Sequence, residues 1–139
     1  FVVEWDEAAL SWGDFRGSVL GPTDPAEAPA DSIRGMILAQ WEALGLTSEP
    51  NTGDNGVHAS ASPFEALAER NNWLGASFEE DSFGAALLGS GIALSTLQAW
   101  SKDPQVALPE GGSGSLFDAL EDMNSSDCLA RSANLAGLI

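Results

Sequence analysis

One helix in this chain has both of its ends written into the sequence. Ser62-Pro63-Phe64-Glu65 puts a hydroxyl at an N-cap, proline at the first helical position and a carboxylate at the third. Gly75 supplies the stop. The pattern predicts a helix over residues 62–74, with Phe64, Leu67, Ala68 and Leu74 available for burial. A helix with one apolar face needs other elements to cover it, and the flanking segments offer several. Asp31 or Ser32 can cap a helix in which Ile33, Met36, Ile37, Trp41 and Leu44 recur at helical spacing as far as Gly45. Residues 8–15 also read as helical, and Pro25 after Asp24 suits the start of a short helical turn. Residues 1–5 are β-branched and aromatic, which predicts a buried strand. Residues 47–56 form a polar loop rich in Asn, Asp and Gly.

Beyond Gly75, Phe83, Leu87, Leu88, Leu94, Leu97 and Trp100 predict further amphipathic helices. Residues 82–100 carry no charge and are long enough to cross a bilayer. Their Gly, Ser and Gln content makes them only weakly apolar, so we expect two short helices meeting at Gly91 and no membrane span. Asp103-Pro104 breaks that pattern. Residues 110–115 read as a flexible Gly/Ser linker, followed by a C-terminal docking tail to residue 139. The expected organisation is residues 1–78, then a helical extension over 79–109, then linker and tail over 110–139. The expected class is α+β and mostly helical.

The 139 residues are 44% hydrophobic, with 21 acidic groups against five basic ones and a formal net charge of −16. That size suits one modest core. That charge predicts repulsion of nucleic acid and of anionic membranes. It also makes local positive charge scarce, which a phosphate site needs. Cys128 is the single cysteine, so no internal disulfide can form. The chain opens on Phe1 rather than Met, which leaves room for a processed or cropped upstream segment.

His58 is the single histidine and lies just before the capped helix. A lone histidine is most often a bystander, although imidazole is also a common base and nucleophile. The segment Asn55-Gly56-Val57-His58-Ala59-Ser60-Ala61-Ser62, continuing to Glu69 on the helix, resembles the nucleoside diphosphate kinase signature Asn-x-x-His-Gly-Ser-Asp-Ser. Upstream, Gly21-Pro22-Thr23-Asp24-Pro25 followed by Ser32-Ile33-Arg34-Gly35 is similar to that family's Gly-x-Thr-Asn-Pro and Thr-Ile-Arg-Gly segments. The resemblance covers about residues 1–78.

It implies a partial ferredoxin-like kinase domain with a helical C-terminal extension. It implies His58 as the phosphoryl-accepting nucleophile, Glu69 as the carboxylate that orients it, and Ser60 as the neighbouring hydroxyl. Asn55 would touch the sugar, and Thr23 and Arg34 the phosphates. An active enzyme would use ATP and a nucleoside diphosphate with Mg, passing the γ-phosphoryl group through a phosphohistidine. Without the resemblance, Ser62 reads as a helix cap, Thr23 as a turn residue and Arg34 as a solvent-facing helix residue.

The chain also departs from the family. The family's N-terminal half, with a phosphate-binding Lys, has no counterpart among these residues. Gly17 stands where the family has an Arg, with Arg16 one position away. Residues 40–54 read as an insertion, and Ala59 and Ala61 replace a Gly and an Asp. One lost charge donor typically costs about 3 kcal/mol of transition-state stabilisation. The expected function is therefore a degenerate, non-catalytic subunit binding protein partners in a larger assembly, such as an axonemal or plastid complex. An active nucleoside diphosphate kinase is the alternative. A soluble intracellular compartment, cytoplasm or plastid, is expected.

Overall fold

Helix α3, Pro63–Leu74, starts where its cap predicts. Ser62 Oγ accepts from the Glu65 backbone N–H at 3.2 Å. The Glu65 carboxylate turns back, but it accepts from the N–H of Ala61 rather than that of Ser62, so the box closes one residue early. Gly75 ends the helix at φ 70°, in the left-handed region that glycine adopts without strain. The computed structural model describes residues 1–138; Ile139, at the end of the expected tail, lies outside the described residues. The chain divides into two compact units, Phe1–Ala59 and a second that begins at Ser60.

The second unit holds the apolar core. To α3 it adds α4 (Ser82–Gly89), α5 (Leu94–Trp100), α6 (Leu116–Leu120) and α7 (Ser125–Leu135). Strands β1 (Gln105–Ala107) and β2 (Ser113–Ser115) pair antiparallel, with Gln105 opposite Ser115 and Ala107 opposite Ser113. Phe64, Leu67, Leu87, Leu97, Leu116 and Leu120 are fully buried together. Each such side chain contributes about 1.5–3 kcal/mol by leaving water. Phe64 meets Trp100 and Phe117 edge to face, with ring centres 6.0 and 6.2 Å apart. Asp81 is buried and pairs with Arg70. It also caps α4, accepting from the N–H groups of Phe83 and Gly84 at 2.9 and 3.1 Å. Gly84 is required by packing: a Cβ there would lie 2.1 Å from the Phe78 carbonyl oxygen.

The expected break between two short helices falls at Gly91, where φ is 101°. No helix among the described residues is long and apolar enough to cross a membrane. Two expectations fail in this unit. Leu74 is 63% exposed rather than buried, because the last turn of α3 runs past the core. The stretch expected as a linker contains β2, and Asp103 explains why. Its Oδ1 accepts from Ser115 Oγ at 2.7 Å and from the Phe117 N–H at 2.9 Å, which pins the returning chain beside β1.

The first unit has shorter elements: α1 (Trp12–Asp14), a π-helical turn (Phe15–Leu20), a 3₁₀ turn (Pro25–Glu27) and α2 (Ile33–Gln40). Ser32 caps α2, with its Oγ accepting from the Gly35 N–H at 3.1 Å. The predicted apolar face of α2 is poorly covered: Met36 is 43% exposed and Leu44 58%. The buried position is instead Gly35, where a Cβ would lie 2.1 Å from the Pro29 carbonyl oxygen. Residues 1–5 form no strand, and Phe1, Val2 and Val3 are exposed. A strand needs a hydrogen-bonded neighbour, and among the described residues the first unit contains no strand. Trp5 instead stacks on Phe15 with ring centres 4.4 Å apart, and its indole N–H donates to the Leu10 carbonyl. The described residues thus form a mixed α and β structure in which helix predominates and the one sheet is a small hairpin.

Candidate functional site

Three of the residues singled out in the sequence meet through backbone groups of the first unit. Asp24, capping the 3₁₀ turn through the Ala26 N–H, fixes the bend that carries Thr23. Asn55 Nδ2 donates to the Thr23 carbonyl at 3.2 Å, across 32 residues of chain. Arg34, on the first turn of α2, makes two cross-ties. Its Nη1 donates to the Gly21 carbonyl at 2.7 Å and its Nη2 to the Val57 carbonyl at 2.9 Å. One guanidinium therefore clamps the chain before Thr23 to the loop that leads into His58. Gly56, at φ 83°, sits against Ile37, which holds the same loop on α2.

The electrostatics fit this clamp. Partial burial, and then the nearby Arg16 charge, hold the Arg34 guanidinium below the ordinary arginine value. It remains a cation, since arginine does not deprotonate in proteins. Its Nε is buried with no hydrogen-bond partner among the described residues. Hydrogen bonds from a charged donor contribute about 1.5–3 kcal/mol each, so the two carbonyl ties are substantial for a unit this poor in buried apolar side chains.

His58 follows this clamp directly and is exposed. Ser60 and Glu69 belong to the second unit. There Ser60 Oγ donates to Glu69 Oε2 at 2.5 Å, a charge-assisted bond. The structure thus groups Thr23, Arg34 and Asn55 around the loop before His58, and groups Ser60 with Glu69. Sequence reasoning missed the acceptors of Arg34, because backbone carbonyls carry no side-chain signature. Arg16, noted there only as one position out of place, lies near enough to Arg34 to repel it.

The other cations of the chain are elsewhere. Arg70 is held by Asp81, and Arg131 Nη2 reaches both carboxylate oxygens of Glu110 at 2.7 and 2.9 Å. Lys102 borders two shallow cavities of the second unit, about 390 and 280 Å³. Neither is lined by Thr23, Arg34, Asn55 or His58.

A nucleotide would therefore meet a mixed set of groups. Arg16 and Arg34 give the right sign of charge. The Asn55 amide and two of the five N–H donors of Arg34 are already committed within the chain. A nucleotide that used those same donors would have to displace these bonds. No family model, curated protein or solved structure matches this chain.

Proposed function

We propose that this chain is a degenerate nucleoside diphosphate kinase-like module that acts as a non-catalytic interaction subunit. One observation carries the reading: Arg34, the candidate phosphate contact, bridges the Gly21 and Val57 carbonyls and so works as a structural clamp. The formal charge of −16 works in the same direction, since a polyanionic nucleotide gains little from the long-range field of such a chain. The partially ferredoxin-like kinase architecture belongs to this proposal, and so do protein partners within a larger assembly. Apolar side chains left in solvent support the partner role: Trp73 is 77% exposed and Leu74 63%, side by side at the end of α3.

Calorimetric titration with ATP, and with ADP, in the presence of Mg tests the reading. The expected result is no saturable heat at nucleotide concentrations that fill an active kinase. Tight saturable binding, abolished by Arg34→Met in a variant that keeps its fold, would overturn it.

One observation favours the alternative, an active kinase working through a phosphohistidine. His58 is exposed and immediately follows Val57, whose carbonyl the Arg34 clamp fixes. Nucleophilic transfer requires an accessible imidazole with a defined backbone.

A further inference from the structure

Asn55-Gly56 is the one Asn-Gly pair in the chain. In the structure its chemistry is unusually open. Gly56 is exposed at φ 83° and has no side chain to shield its nitrogen. Its N–H donates to no acceptor among the described residues. The Asn55 side chain has one bond among them, to the Thr23 carbonyl at 3.2 Å, the long end of the normal range. Four of the other five asparagines are better protected. Asn71, Asn72 and Asn134 lie inside α3 and α7, where the following N–H is held in the helix. Asn51 is followed by β-branched Thr52, and its own carbonyl oxygen is held by the N–H groups of Gly53 and Asp54.

We propose that Asn55 is a self-modification site, at which the Gly56 backbone nitrogen converts the Asn55 amide to a succinimide and then to aspartate or isoaspartate. The Gly56 nitrogen loses its proton to solvent base and attacks Asn55 Cγ. A C–N bond forms, and Nδ2 leaves as ammonia with a proton from water. Water then opens the ring at either carbonyl. Cleavage at Cγ gives aspartate; cleavage at the main-chain carbonyl gives isoaspartate, with the backbone now running through Cβ and Cγ. The net reaction consumes one water, releases one ammonia and is redox-neutral.

Both products act on the clamp around Arg34. Each replaces the donor that reaches the Thr23 carbonyl by a carboxylate, and carboxylate and carbonyl oxygens repel. Isoaspartate also lengthens the main chain by one carbon at residue 55, two positions before Val57, whose carbonyl Arg34 holds at 2.9 Å. The modification therefore loosens the loop that carries His58. This holds whether or not the loop ever meets a nucleotide.

The test ages the intact folded protein at mildly alkaline pH and follows every asparagine by peptide mass spectrometry, with fragmentation that separates isoaspartate from aspartate. Conversion is expected first at Asn55, at a rate close to that of the same chain in urea, with isoaspartate among the products. Asn55→Gln, which keeps an amide donor but disfavours the five-membered ring, should suppress it. The inference is overturned if Asn55 converts only in urea, or if Asn51 or Asn124 converts ahead of it in the folded protein. Asn55→Asp should speed hydrogen exchange in residues 21–24 and 55–58. Unchanged exchange there would overturn the link to the Arg34 clamp.

Discussion

The two units solve the same stability problem by different means. From Ser60 onward, a continuous apolar cluster runs from Phe64 through Leu97 to Leu120. In Phe1–Ala59 the buried positions are few, among them Leu20, Pro25, Ser32 and Gly35, and the long-range ties are polar: Arg34 to Gly21 and Val57, Asn55 to Thr23. A core is tolerant in detail and robust as a whole, because many contacts share the load. A clamp concentrates the load in one side chain. The first unit should therefore be the more sensitive to a single polar change, and the second to a single cavity.

The largest effect is expected from Phe64→Ala. Removing a fully buried ring with two aromatic neighbours should cost about 3–5 kcal/mol in urea unfolding. Hydrogen exchange within Phe1–Ala59 should be the less affected signal; equal loss of protection in both units would break the contrast. Next comes Arg34→Met, which removes two charged donors from carbonyls and should cost about 2–4 kcal/mol. Hydrogen exchange should accelerate around residues 21–24 and 55–58 while α3 stays protected. A smaller loss, about 1–3 kcal/mol, is expected from Gly35→Ala and from Gly84→Ala. Alanine is the better helix former by about 1 kcal/mol. A Cβ at either position would nevertheless meet a carbonyl oxygen at 2.1 Å. A rise in melting temperature for either variant would contradict the close packing described.

The smallest effect is electrostatic. The Arg131 hydrogen bond, and then a backbone bond, hold the Glu110 carboxyl below the ordinary glutamate value. Its folded pKa is depressed, so its contribution is present above the ordinary glutamate pKa and is lost as pH falls through the folded value. NMR titration of Glu110 should show the depressed midpoint, and Arg131→Gln should reduce the depression, leaving the part due to the backbone bond. The Glu110 carboxylate is solvent-exposed, so added salt should weaken the pair.

The features legible in the sequence are those fixed by neighbours along the chain. The Ser62 cap, the Gly75 stop, the Ser32 cap and the break at Gly91 each depend on a few adjacent residues. What was not legible depends on distant partners. Residues 1–5 have strand composition but no strand to pair with among the described residues of their unit. Residues 110–115 have linker composition, yet Asp103 recruits Ser115 and Phe117 across the hairpin. The same holds at the candidate site. Thr23, Arg34 and Asn55 could be named from the kinase resemblance, and the structure does group them. That Arg34 would face two carbonyls was invisible, because any residue can present a carbonyl.

On the proposed reading, His58 follows a structural clamp and carries no phosphoryl group. Incubation of the intact protein with γ-labelled ATP and Mg, followed by separation under alkaline conditions that preserve phosphohistidine, tests it most directly. No label is expected at His58 in protein whose fold is verified on the same sample. An acid-labile label that is lost in His58→Asn and discharged by a nucleoside diphosphate would contradict it and establish the kinase.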